Sequence, residues 1–275
     1  MVYSRGVLPS LESLERRLLE AVEGVGPMVV AFSGGVDSSL LAAAAGRALP
    51  EESVLLATAD SASFGDGELE RCRRLADEWR LPWQAVRTAE MGDPRYLANN
   101  GDRCYWCKTS LMDRIEPLAR ARGATVTLGV NVSDLADHRP GQRAASERGA
   151  RFPLVEAGLS KADIRRLARH WELEVWDRPA MPCLSSRVPY GTPITVTMLS
   201  RIDRAEASLR ARGFVDVRVR HYDDTARIEL PVSDLGRALA EASAIDTDLR
   251  ALGYRYVTLD LGGLRSGNLN DALPT

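Results

Sequence analysis

Leu11, Leu14, Leu18, Leu19 and Val22 recur at helical spacing among charged residues, which predicts an amphipathic helix ending near Gly24. The pattern then changes to an unbroken apolar run, Met28 to Phe32, of the kind shown by a parallel strand buried on both faces. A glycine turn and the helix-forming segment Leu40 to Leu49 complete a strand, loop and helix unit. Further strands are predicted at Val54 to Thr58, Trp83 to Arg87 and Thr125 to Val130, with helices through Leu69 to Trp79 and Leu111 to Arg120 between them. Strands alternating with helices predict a parallel α/β sheet.

The rhythm changes after Pro153. Ser160, with Asp163 three residues on, resembles an N-terminal capping arrangement and opens a helix to about Trp171. A proline-rich passage, Pro179, Pro182, Pro189 and Pro193, leads to a helix over Met198 to Arg212. Alternating strands follow at Val215 to His221 and Ala226 to Leu230, then a helical stretch over Leu235 to Leu252 and a last strand at Tyr254 to Leu261. The expected organisation is an α/β domain over 1–185 and a small C-terminal α+β domain over 186–275, with no internal repeat.

An apolar share of 45% with 27% charged residues is that of a globular chain and excludes disorder for most of it. Lys+Arg of 36 against Asp+Glu of 38 leaves a net charge of −2, so no global basic field exists to hold nucleic acid. The uncharged stretch Gly24 to Val36 is interrupted by three further glycines and Pro27, and falls short of the roughly 20 apolar residues of a membrane span. The N-terminus has no apolar core of a signal peptide, so a cytoplasmic protein is expected. Four cysteines are too few for a disulfide scaffold, and the Cys104-Tyr105-Trp106-Cys107 spacing points to metal or redox chemistry.

Between the first strand and its helix lies Ser33-Gly34-Gly35-Val36-Asp37-Ser38-Ser39. Two glycines allow a tight turn that aims N–H groups at an anion, and hydroxyls and a helix N-terminus complete the cradle. The GK[ST] ending of a Walker A loop is absent, and Asp37 stands where a basic residue would. An acidic side chain beside phosphates makes sense if it holds Mg²⁺ while a triphosphate is cut between its α and β phosphorus atoms.

The motif resembles that of the PP-loop ATP pyrophosphatases, over roughly residues 28 to 180. The resemblance implies an adenine-nucleotide α-hydrolase-like fold and adenylation of a carbonyl-type oxygen, with ATP and Mg²⁺ at Ser33, Gly34, Gly35, Asp37, Ser38 and Ser39. Ser61 and Gly129, which follow the second and fourth strands where ligands gather in such sheets, are expected to line the nucleotide site. Asn131, Ser133, Asp134, Asp137, His138 and Arg139 lie in the same place after the fourth strand and are read either as lining that crevice or as plain loop polar residues.

Cys104 and Cys107 sit at the start of a helix, whose dipole favours thiolates. Cys183 lies in a proline-bounded loop, Met181 to Arg187, whereas Cys72 falls in a helical segment and reads as core packing. RCYWCK, PCLSSR and the ending Asp260 to Asn270 together resemble the LarE family of ATP-dependent sulfur transferases. That resemblance implies adenylation of a carboxylate of pyridinium-3,5-biscarboxylic acid mononucleotide and its conversion to a thiocarboxylate of the nickel-pincer cofactor of lactate racemase. It makes Cys183 and Asp37 the catalytic residues, and Arg187, Arg218 and Arg220 the binders of the substrate phosphate. Arg218 and Arg220 share one face of a strand.

Three thiols, Cys104, Cys107 and Cys183, are enough to anchor a [4Fe–4S] cluster whose fourth iron carries an extra sulfide. The alternatives are a sacrificial Cys183 that yields its own sulfur, a tRNA thiolase, and a nucleotide-binding module with structural zinc. Glu206 and Glu229 are expected to be surface carboxylates, and the family resemblance implies a homo-oligomer.

Overall fold

The computed structural model describes residues 9–136, 140–179 and 181–265. Asp137, His138, Arg139 and the ending from Ser266 onward, which the sequence singles out, lie outside the described residues. By contact the chain divides into two compact units. The first comprises Met1–Asp60, Gly67–Thr88 and Lys108–Ala180, and the second Ser61–Asp66, Ala89–Cys107 and Met181–Thr275.

The first unit is built on a four-stranded parallel sheet of β1 (Met28–Ala31), β2 (Val54–Asp60), β3 (Trp83–Arg87) and β4 (Thr125–Leu128), in the order β3-β2-β1-β4. The registers Met28↔Val54 and Met28↔Thr125 put β1 between β2 and β4. Its Met28, Val29 and Val30 are fully buried, as the apolar run requires. The strand order reverses across β1, so the loop after β1 lies at a topological switch point, where ligands bind in open α/β sheets.

That loop feeds the helix Val36–Ala48, of which Leu40 to Ala45 are all buried. The first helix, Leu11–Glu23, matches the predicted span and buries Leu14, Leu18 and Val22. Ser160 and Asp163 form a reciprocal capping box at the start of the helix Lys161–His170. The CxxC helix runs from Arg103 to Ala121, eight residues earlier than the apolar spacing from Leu111 predicts, because its first turns present polar and aromatic side chains.

The second unit carries a three-stranded mixed sheet of β5 (Arg218–Tyr222), β6 (Thr225–Glu229) and β7 (Tyr256–Leu259) in the order β5-β6-β7. β5 and β6 form a hairpin with Asp223 at φ +50°, and β7 joins parallel to β6 after a helical crossover. The crossover consists of two helices, Leu235–Ala240 and Ala242–Ala251, where the pattern predicts one. The chain leaves helical geometry at Glu241, whose carboxylate meets Arg212 at 3.5 Å. Phe214, Val219, Ala226, Ile228, Leu249 and Tyr254 make the core under this sheet. A separate cluster of Tyr96, Leu184, Val188, Ile194, Leu199 and Ile202 holds the segment that contains Cys183. Among the described residues no helix is long and apolar enough to cross a membrane.

Candidate active site

In the first unit the helix Val36–Ala48 begins at Gly35 with no side chain capping it. Its first N–H groups therefore have no partner from a capping side chain and suit an anion. Ser38 Oγ donates to the Gly35 carbonyl at 3.2 Å and lies 3.1 Å from Ser33 Oγ, which ties the two ends of the loop together. Ser39 is fully buried and its hydroxyl has no partner. Gly129 is required by contact: a Cβ there would lie 2.7 Å from the Ser38 nitrogen and 2.8 Å from the Asp37 carbonyl carbon. The sequence thus placed Ser33, Gly34, Gly35, Asp37, Ser38, Ser39 and Gly129 in one neighbourhood.

Asp37 meets two partners. Lys161 Nζ donates to its Oδ2 at 2.5 Å, and Asn131 Nδ2 to its Oδ1 at 3.3 Å. Both are held from behind. Asn131 also donates to Asp134 at 2.8 Å, and the Lys161 N–H donates to Ser133 Oγ at 3.1 Å. Lys161 was missed by sequence reasoning, and its only signal there is its place directly after the capping residue Ser160. The donor set fits Mg²⁺, which binds through one or two carboxylates and takes its remaining ligands from phosphate and water.

Ser61 belongs to the second unit, where its hydroxyl donates to Glu90 and lies 3.0 Å from Ser63 Oγ. Glu90 is buried and its second oxygen has no partner.

All three candidate sulfur residues are in the second unit: Cys104 exposed, Cys107 and Cys183 half-buried. Cys183 precedes the short 3-10 turn Leu184–Arg187, which is gripped from several sides. Tyr96 Oη lies 2.6 Å from Ser185 Oγ, Arg103 Nη1 donates to the Ser185 carbonyl at 2.9 Å, and the Leu184 N–H donates to the Ser63 carbonyl at 2.9 Å. Asn99 Nδ2 reaches the carbonyls of Pro189 and Thr192 at 2.8 and 3.0 Å. Tyr96 and Asn99 carried no motif signal, since buried polar supports are defined by partners far away in sequence; Arg103 opens the RCYWCK motif, but its grip on Ser185 is hidden for the same reason.

Burial opposes the charge of Arg103, but the Cys183 and Cys104 thiols and the Tyr190 and Tyr96 phenols outweigh it and raise its pKa. Burial likewise pushes the Tyr96 phenol up, with the Cys183 thiol adding to the effect. Among the described residues no three His, Cys, Asp or Glu side chains gather at metal-holding distance. Cys72 is fully buried, and burial pushes its thiol up to about 12, in keeping with a packing role.

The arginines differ in accessibility. Arg187 is 1% exposed, and its Nε and Nη2 donate to Glu206 at 2.8 and 3.0 Å while Nη1 reaches the Pro182 and Cys183 carbonyls. Arg220 is buried, paired with Glu229 at 2.8 Å and donating to the Ser186 carbonyl at 2.7 Å. Arg218 lies on the same face of β5 and is half-buried; burial, then the charges of Arg187 and Arg220, lower its pKa. Arg187 and Arg220 are each compensated by a buried carboxylate, so it is Arg218, whose charge its neighbours oppose, that favours an anion. Glu206 and Glu229 are not surface carboxylates as expected. Both are fully buried, because each neutralises guanidinium groups packed around it.

No family model matches the chain. An uncharacterised protein of Synechocystis is 43% identical over 266 residues, covering 96% of this chain and 99% of its own length. A pyridinium-3,5-bisthiocarboxylic acid mononucleotide synthase of Lactiplantibacillus plantarum is 38% identical over 267 residues, 97% of each chain. An uncharacterised protein of Methanocaldococcus jannaschii is 26% identical over 240 residues, 87% of this chain and 91% of its own. With identity at the level of the second relative running almost end to end through both chains, this chain belongs to the LarE family, that of pyridinium-3,5-bisthiocarboxylic acid mononucleotide synthase.

Proposed function

We propose that this chain is an ATP-dependent sulfur transferase that converts a carboxylate of pyridinium-3,5-biscarboxylic acid mononucleotide to a thiocarboxylate. The observation that carries the reading is the full-length identity to the synthase of Lactiplantibacillus plantarum, joined to an uncapped helix N-terminus with Asp37 in its first turn. A carboxylate is a poor electrophile until its oxygen becomes a phosphate ester. In the proposed order a substrate carboxylate oxygen attacks the α-phosphorus of ATP, pyrophosphate leaves, and an acyl adenylate forms. A sulfur nucleophile then attacks the acyl carbon and AMP leaves.

Ser33, Gly34, Gly35, Ser38 and Ser39 would hold the phosphates. Asp37 would hold Mg²⁺, which supplies charge neutralisation for the departing pyrophosphate. Lys161, released from Asp37, would remain beside the phosphates as a second cation. Arg218 is the accessible member of the arginine group and is assigned to the substrate phosphate, with Arg187 and Arg220 supporting the field from within. Ser61, which follows β2 directly and whose hydroxyl meets Ser63 and Glu90, is assigned to the nucleotide from that place after the strand.

Sulfur is assigned to Cys183. In the three-cysteine reading a [4Fe–4S] cluster on Cys104, Cys107 and Cys183 would supply an extra sulfide. What supports it is that all three thiols belong to the second unit, with Cys104 and Cys107 three residues apart at the start of one helix. A second reading is favoured by the lack of a gathered ligand group among the described residues. In it the Cys183 thiolate attacks the acyl adenylate, and the resulting thioester loses its Cα proton and breaks its Cβ–S bond, leaving thiocarboxylate and dehydroalanine.

Two measurements test these assignments. Asp37→Ala is expected to abolish substrate-dependent pyrophosphate release while the circular dichroism spectrum stays that of the parent; release at the parent rate would refute the ATP mechanism. Anaerobic reconstitution with iron and sulfide, followed by mass spectrometry after turnover, separates the sulfur sources. Bound iron and multiple turnovers lost in Cys104→Ala support the cluster. No iron, one turnover and a loss of H₂S mass at Cys183 support the sacrificial route.

A further inference from the structure

Gly34 stands at φ +65°, in the left-handed region, and a Cβ added there would lie 2.9 Å from both Arg71 Nη2 and Cys72 Sγ. The helix Glu68–Glu78 therefore brings two consecutive side chains against this one residue of the phosphate loop. Arg71 does more than fill space. Its Nη2 donates to the Gly34 carbonyl at 2.8 Å and to Glu68 Oε2 at 3.0 Å. Glu68 is shared, because its other oxygen accepts from Arg178 Nη2 at 2.5 Å. One carboxylate thus faces two guanidinium groups, and Arg71 Nε and Nη1 are buried with no partner among the described residues. The Cys72 thiol, pushed up to about 12 by burial, is neutral and opposes none of this positive charge.

A bond to the Gly34 carbonyl has a geometric consequence. In a trans peptide the C=O and the following N–H point in opposite directions. Fixing the carbonyl toward Arg71 therefore turns the Gly35 N–H to the other side, and a glycine peptide, with no Cβ to resist it, would otherwise rotate freely. Among the described residues the Gly35 N–H meets Ser33 Oγ at 3.5 Å, a contact that a stronger acceptor can replace.

We propose that Arg71 is a positioning residue for the phosphate loop, holding the Gly34–Gly35 peptide with its N–H set for the polyphosphate of a nucleoside triphosphate and lending that site a half-compensated positive charge. The inference rests on the reading of this loop as the ATP site. It goes beyond that reading because Arg71 lies outside the loop, on a helix whose sequence shows only ordinary amphipathic spacing.

The test is nucleotide binding by the full chain, measured calorimetrically with ATP plus Mg²⁺ and separately with AMP, which lacks the two outer phosphates. Arg71→Gln is expected to weaken ATP about ten- to a hundredfold, the range for losing a charged hydrogen bond. AMP affinity should fall by less than about threefold, because the effect is confined to the outer phosphates. Arg71→Lys keeps the charge on a shorter side chain without the planar fork, so it should fall between, and it carries the same comparison if Arg71→Gln does not fold. ATP affinity unchanged in the folded variant, or equal losses for ATP and AMP, would overturn the proposal. Failure of the parent chain to bind ATP would instead overturn the ATP reading itself.

Discussion

Replacing Glu206 by Gln keeps the volume of a fully buried side chain but removes its charge. The carboxylate accepts from Arg187 Nε and Nη2 at 2.8 and 3.0 Å, from Arg210 Nη2 at 2.7 Å and from the Val219 N–H at 3.0 Å. Glutamine offers one acceptor oxygen and turns an NH₂ group toward a guanidinium, so at least one donor is left facing another. Arg187 is 1% exposed and cannot recover water. Breaking a buried pair in this way costs about 3–5 kcal/mol. Arg210, one-third exposed, adds little to that. With a urea dependence of about 2 kcal/mol per molar, the unfolding midpoint should drop by roughly 1.5–2.5 M. The assay is urea unfolding followed by circular dichroism. A midpoint shift under about 0.5 M would refute the reasoning, since the ion pair would then be worth no more than a surface one. The double variant Arg187→Met with Glu206→Leu, which removes both charges, should recover much of the loss.

Three further outcomes are expected. Gly129→Ala, which sets a Cβ 2.7 Å from the Ser38 nitrogen, should push the helix start away from β4 and weaken ATP binding by at least about tenfold, read by the same calorimetry. Lys161→Met, which frees Asp37 but removes a cation, should lower the rate of pyrophosphate release by about 10²-fold while changing ATP affinity far less, read from kcat and KM. His221 lies buried against Tyr254, and burial, then the charge of Arg201, lowers its pKa. The unfolded chain then binds a proton that the folded chain refuses, so stability is full above the unfolded value of about 6.5 and falls as pH drops through the folded value. His221→Phe should flatten that part of the stability profile in acid.

The strands of the first sheet were legible because a doubly buried strand writes an unbroken apolar run, as Met28 to Ala31 does, and the glycines after it mark the only backbone able to make the turn. The capping box at Ser160 was legible for a similar reason: its hydrogen bonds join residues three apart. What the sequence hid depends on distant partners. Lys161 finds Asp37 across 124 positions, and Arg103 finds Ser185 across 82. Glu206 and Glu229 look like surface carboxylates in any local window, and only the arginines that converge on them explain their burial. The CxxC pair was read at a helix start, as it is found, whereas the apolar spacing marks the same helix only from Leu111, since its first turns lack an apolar face.

The second unit is assembled from three stretches of chain, two of them short insertions made long before the rest. During synthesis Ser61–Asp66 and Ala89–Cys107 emerge first and have to wait for the stretch from Met181 onward, including the Ser185 groups that Tyr96 and Arg103 hold and the Leu184 N–H that meets the Ser63 carbonyl. At about 5–20 residues per second that interval lasts several seconds or more. Throughout it Cys104 and Cys107 are attached to unfinished structure, open to oxidants and stray metal ions. The yield of active protein should therefore depend on how reducing the cell is while the chain is being made.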